Sequence, residues 1–135
     1  MTSKISSILI PLNSRMDLTI RHALFHIGVF VPLFMTVGFL RTGIPEWLYT
    51  ILLITGISVL IYHGYKLMLR WAMHSNYAWV NTIHVAFVAP LLIYIGYYKK
   101  ETPRFAYELL LMLGFAALGY HTYSMVKALN TVDTR

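Results

Sequence analysis

The chain has 135 residues, 58% of them hydrophobic and 12% charged, with a mean hydropathy of +0.62; a typical soluble domain carries about 25% charged residues. Eleven Lys and Arg and five Asp and Glu are too few to cover the surface of a soluble domain of this size, which argues against a soluble globular enzyme. The lack of Cys removes disulfide frameworks, thiolate metal sites and Cys nucleophiles together, and leaves the redox compartment open.

Residues 1–14 are expected to form an interfacial arm. Their one apolar run, Ile5–Leu12, is broken by Ser6, Ser7 and Pro11, and no small-residue cleavage site marks a signal peptide. Ser14-x-x-Asp17 has the spacing of a capping signal that would start the first helix a turn or two before a bilayer. Four apolar stretches follow, Ala23–Leu40, Trp47–Tyr65, Tyr77–Tyr98 and Phe105–Val126. Each is close to the ~20 residues a helix needs to cross ~30 Å of hydrocarbon. The links Arg41–Pro45 and Lys99–Pro103 are short and end in a Pro suited to a first helical turn. Lys66–Asn76, with Lys66, Arg70 and His74, reads as a longer connection in the headgroups. The fold expected is an all-α membrane protein with four transmembrane helices in two antiparallel hairpins, residues 15–73 and 74–128, and a tail at 129–135.

Lys4, Arg15, Arg21, Lys66, Arg70, Lys127 and Arg135 fall on one side of such a protein, and Arg41, Lys99, Lys100 and Arg104 on the other. The positive-inside bias puts both termini and the central connection in the cytoplasm. The net charge of +6 is then juxtamembrane charge facing anionic lipid or an acidic partner, and nucleic-acid binding is not required.

Shifting the chain by 58 residues gives 13 identities over the 40 positions from His26 to Tyr65, without a gap. They include His26 on His84, Pro32 on Pro90, Gly38 on Gly96, Tyr49 on Tyr107, Gly56 on Gly114 and His63 on His121. The two hairpins therefore read as direct repeats, inserted the same way up. Leu53, Gly56, Leu60 and His63 share one helical stripe, repeated by Leu111, Gly114, Leu118 and His121. This heptad-like seam is expected to face the interior, its Gly residues allowing close helix packing. Pro32 and Pro90, in mid-span, are expected to kink their helices and release a carbonyl.

By helix rise, His26, His63, His84 and His121 lie at one depth, near the cytoplasmic edge of the hydrocarbon. Ionisable groups at such a depth are candidate functional residues. They suit four readings: bis-imidazole ligation of haem b, a divalent metal held by imidazoles, a proton or ion pathway, and plain interhelical hydrogen bonding. A haem would bring His63 and His121, or His26 and His84, across the bundle from each other. Asn81, three residues before His84, is the one side chain placed to orient that ring, and Ala23 takes its place in the first repeat. His22 and His74 fall outside the apolar stretches and are expected at the interface. Glu108 is placed to pair with Arg104 at i−4. The sequence has no Gly-rich phosphate loop, Ser/His/Asp set or paired carboxylates.

His84-x-x-Phe87-Val-Ala-Pro90-Leu-Leu-Ile-Tyr-Ile-Gly96 and the stretch from Thr102-Pro103-Arg104 to Gly114-Phe-Ala-Ala-Leu-Gly-Tyr120-His121 carry a resemblance over residues 77–126. There the chain resembles small uncharacterised multi-pass membrane proteins of large algal DNA viruses. That resemblance implies a virus-encoded component of the internal virion membrane, or of the host membrane from which it is made. It implies no catalytic residues. The partners expected are membrane lipid and an acidic protein or a capsid partner. The function expected is a non-enzymatic membrane scaffold, requiring no cofactor and open to homo-oligomerisation. The alternatives are a four-helix haem- or metal-binding electron-transfer protein and a small proton or ion channel.

Overall fold

The computed structural model describes residues 12–133, so the greater part of the N-terminal arm and the last residues of the tail lie outside it. Within that range the chain is helical apart from turns at 44–45, 73–77 and 102–103, and no strand occurs among the described residues. Helix α1 (Leu12–Phe25) passes through a π-turn at His26–Phe30 into α2 (Val31–Leu40). After a short 3-10 turn comes α3 (Glu46–Ala72). Helix α4 (Ala78–Ile83) passes through a second π-turn, His84–Val88, into α5 (Ala89–Tyr98). Another 3-10 turn leads to α6 (Arg104–Asp133). Four helical spans, Asp17–Gly43, Glu46–Ala72, Ala78–Glu101 and Arg104–Asn130, are long and apolar enough to cross a membrane.

The helices outrun the apolar stretches. Helix α1 is already formed at Leu12, so Ser14 lies inside it and not at its N-cap. Helix α3 continues through Lys66 and Arg70, which shrinks the expected connection Lys66–Asn76 to residues 73–77. The polar residues there extend the helix beyond its apolar part, since Lys and Arg are good helix formers once outside hydrocarbon. A Schellman-type cap ends α3. His74 takes a left-handed φ of 48°, its N–H donates to the Trp71 carbonyl, and the Ser75 N–H donates to the Arg70 carbonyl. Pro45 sits at the N-cap of α3, one residue ahead of the first turn, with its carbonyl accepting from the Leu48 N–H. The Pro103 carbonyl accepts from the Ala106 N–H in the same way.

The prolines widen their helices. Pro lacks an N–H and its ring presses on the carbonyl four residues back, so a regular turn cannot close there. Instead the Val31 N–H reaches the His26 carbonyl and the Ala89 N–H reaches the His84 carbonyl, each spanning five residues. Each mid-span proline thus follows a π-turn, and each π-turn begins at a histidine.

Two compact units divide the chain, and they cut across the hairpins 15–73 and 74–128. The central unit is Leu33–Gly114; the described part of the terminal unit is residues 12–32 with 115–133. In the central unit a Cβ on Gly38 would meet Leu111 Cβ at 2.7 Å and the Tyr107 carbonyl at 3.0 Å. A Cβ on Gly96 would meet the Leu53 nitrogen at 2.5 Å and the Tyr49 carbonyl at 2.7 Å. Gly56 lies against Leu92 and Ile93, Gly114 against Phe34 and Met35. Each contact has its counterpart 58 positions along, and the partners descend as the glycines ascend, so the paired helices run in opposite directions. Within lipid such close packing replaces the hydrophobic drive that holds soluble helices together.

The core of the central unit consists of Tyr49, Leu52, Leu92, Ile95, Tyr107 and Leu110, all but excluded from solvent. The Tyr107 hydroxyl donates to the Lys99 carbonyl at 3.0 Å and accepts from the Tyr49 hydroxyl at 3.4 Å. The inward stripe of α3 is therefore Leu48, Tyr49, Leu52 and Gly56. The expected seam is corrected at Leu60, which is 38% exposed, while Leu53, Leu111 and Leu118 are half-buried. Tyr49 and Leu52, not Leu60, are the α3 side chains wholly enclosed beside Gly56, so the buried stripe departs from the heptad line. At one end of this unit Glu46 pairs with Lys99 and Lys100 at 3.5 and 3.3 Å, and Glu108 pairs with Arg104 at 2.6 Å and Arg41 at 3.7 Å. These side chains are about half exposed or more, so each pair is worth at most about 1 kcal/mol.

Candidate functional site

The terminal unit holds three histidine rings in contact and the central unit two, and the local backbone explains the placement of one ring in each. In the terminal unit His26 opens a π-turn and its Nδ1–H donates to the His22 carbonyl at 2.9 Å. In the neutral ring this tautomer leaves the lone pair on Nε2. The His26 ring centroid lies 4.4 Å from that of His121 and 4.1 Å from that of His22. His22 and His121 meet edge to face at 5.6 Å. Phe25 and Phe30 pack against the His26 ring at 5.7 and 5.1 Å. One ring nitrogen from each of His22, His26 and His121 lies within 4.8 Å of the others. His121 is buried, His26 half-buried and His22 exposed.

In the central unit His84 opens the other π-turn, and its Nδ1–H donates to the Val80 carbonyl at 2.7 Å. Its ring is stacked on that of His63, with centroids 4.0 Å apart and planes within 10°. The His63 Nδ1–H donates to Asn81 Oδ1 at 3.0 Å. Asn81 is 1% exposed and its Nδ2 has no hydrogen-bond partner. An unmet buried amide donor costs about 1–3 kcal/mol, so Asn81 is an expensive way to fix one imidazole.

All four histidines singled out by the sequence thus sit in ring contacts: within the terminal unit His26 meets His121, and within the central unit His63 meets His84. Asn81 orients His63, not His84. Haem does not fit the central pair. A macrocycle between two ligands must hold their rings apart by its own thickness, whereas these rings are in face-to-face contact. Gly56 and Gly96 hold α3 and α5 at backbone contact along the same pair of helices.

His22 is the residue whose place beside the others the sequence reading missed. It lies near the start of the first helical span and joins His26 and His121. The usable signal was the spacing His22-x-x-x-His26, which puts two imidazoles on one helix face. His74, by contrast, is exposed at the end of α3. Compared with known proteins, the chain matches no family model, no curated protein and no solved structure.

Proposed function

We propose that this chain is a multi-pass integral membrane protein acting as a non-enzymatic scaffold, which meets its partners through helix faces within the bilayer. The observation that carries the reading is how little of each span the chain covers for itself. Only 17–28% of the most apolar window of each span is buried. Phe39, Trp47, Ile61, Phe87, Phe105 and Met112 are all more than half exposed. Contiguous apolar surface of this kind requires lipid or another helix against it.

In the orientation that the charge bias favours, both termini and residues 73–77 face the cytoplasm, and residues 41–45 and 99–103 face the opposite side. Lys66, Arg70 and Lys127 then meet anionic headgroups or an acidic partner. The resemblance to algal-virus membrane proteins supports a place in a virion membrane, where a capsid protein would be that acidic partner.

The test uses the absence of Cys. Single-cysteine variants Ser75→Cys and Thr42→Cys, made in the full chain, are labelled in sealed vesicles with an impermeant maleimide. Ser75→Cys is expected to label from the cytoplasmic face and Thr42→Cys from the other, with the protein resisting alkaline carbonate extraction. Release by carbonate, or labelling of both positions from one face, overturns the reading.

A further inference from the structure

We infer that His22, His26 and His121 form a binding site for one divalent transition-metal ion of borderline softness, with Zn2+ or Cu2+ as the matching chemistry. The inference stands independently of the scaffold reading. Three neutral imidazoles with no carboxylate among them suit Zn2+ and Cu2+, and offer nothing to Mg2+ or Ca2+, which demand oxygen ligands.

Three observations converge on this cluster. First, His22 and His26 stand four residues apart on one helix, so both reach the same side, while His121 reaches them from α6. Second, the His22 carbonyl holds the Nδ1–H of His26 and thereby commits Nε2 as the ligating atom, which is the orienting device usual behind a metal-bound imidazole. Third, His26 opens a π-turn, a local distortion that recurs at functional sites because it aims a side chain where a regular helix would not.

The ligand atoms lie within 4.8 Å of one another. On a tetrahedral ion with bonds of about 2.0–2.1 Å they would stand about 3.3 Å apart. Loading therefore shortens the separations between ligand atoms by up to about 1.5 Å, less than about 1 Å of inward movement for each ring. His22 is the exposed ligand of the three and His121 the buried one, so the cluster opens towards the His22 side. His22 lies five residues from the Asp17 end of its span, about 8 Å along the helix, so ions and water reach it from the headgroup region. Three protein ligands leave the fourth position to water.

The central unit supplies an internal control. It repeats the pair as His84 and His63 but has Val80 where the terminal unit has His22. Its rings are stacked nearly parallel, and their in-plane lone pairs do not converge on one point.

The full-length chain, purified in detergent and stripped with a chelator, is titrated with Zn2+, and with Co2+ in parallel for its visible absorption. The expected result is one equivalent per chain, with a Co2+ spectrum of nitrogen coordination. His22→Ala, at an exposed position, is expected to weaken Zn2+ binding at least tenfold while leaving helical ellipticity and elution volume unchanged. His84→Gln is expected to leave the affinity as it was. Should Ala at this position loosen the helix end, His22→Gln with the Co2+ spectrum decides the same question. Binding no greater than in protein-free detergent overturns the proposal. So does a site that survives loss of His22, or one lost equally on His84→Gln.

Discussion

The two histidine pairs share a backbone and differ at their edges. His26 and His84 both open a π-turn set off by a proline, and both donate from Nδ1 to the carbonyl four residues back. Each ring lies against a histidine from another helix, and that second histidine has a tyrosine edge-on beside it, Tyr120 at 5.2 Å or Tyr62 at 5.1 Å. The third partner is where they part. In the terminal unit it is an imidazole, His22, with Ala23 beside it; in the central unit it is an amide, Asn81, with Val80 beside it. A carbonyl can fix a ring whatever side chain its residue bears, so the orienting bond persists through sequence change. What the rings can do as a group depends on that side chain, and this has diverged.

The largest expected effect comes from breaking the close helix packing of the central unit, away from its histidine pair. Gly96→Ala would put a methyl group 2.5 Å from the Leu53 nitrogen and 2.7 Å from the Tyr49 carbonyl, both backbone atoms that can yield only if a helix moves. A cost of about 3 kcal/mol is expected, the upper part of the range for overpacking. At Gly114 the nearest atoms are side-chain carbons of Met35 and Phe34 at 3.2 and 3.3 Å, so Gly114→Ala should cost less than about 1 kcal/mol. Thermal unfolding in detergent, followed by ellipticity, ranks the two. Equal midpoints would mean that the close approach at Gly96 does not hold the unit together.

Much of this architecture was legible in the sequence because membranes impose so simple a demand. Four apolar stretches of the right length announce four spans, and the identities at a spacing of 58 single out glycines and histidines that the structure brings into close contacts, and the prolines that follow its π-turns. What could not be read was which helix faces which. Leu60 lies on the same heptad line as Gly56 yet is 38% exposed, since a stripe of identities does not say how far a helix rotates about its axis. His22 was missed for a different reason. Apolarity marks where hydrocarbon begins, but α1 starts well before that, and a polar residue outside the apolar window still lies on the helix and can aim at the site.

A substitution of intermediate effect would turn one pair into the other. Val80→His, combined with Asn81→Ala, gives the central unit the same residue types that the terminal unit has at His22 and Ala23. The new imidazole stands four residues before His84, as His22 does before His26. Asn81→Ala also removes the unmet Nδ2 donor, offsetting the loss of its bond to His63. Bound Zn2+ is expected to rise from one equivalent to two. A second equivalent already present in the parent chain, or still missing from the double variant, would show that the third imidazole is not what separates the pairs.

The smallest effect is expected at the π-turns. Gly28, in the turn opened by His26, corresponds to Ala86 in the turn opened by His84. A Cβ on Gly28 has no atom within 4 Å, so an alanine fits without displacing anything in the terminal unit. Gly in a helix interior is about 0.8–1.0 kcal/mol less favourable than Ala, because it gives up more backbone freedom on ordering. Gly28→Ala is therefore expected to raise the unfolding midpoint slightly, by at most the equivalent of about 1 kcal/mol, and to leave Zn2+ binding unchanged. A lowered midpoint would mean that this turn, unlike its Ala86 counterpart, needs the space a glycine leaves. A neighbouring helix from a second copy or a partner, packed closely on that face, would create such a need, and crosslinking from Gly28→Cys in the membrane would identify it.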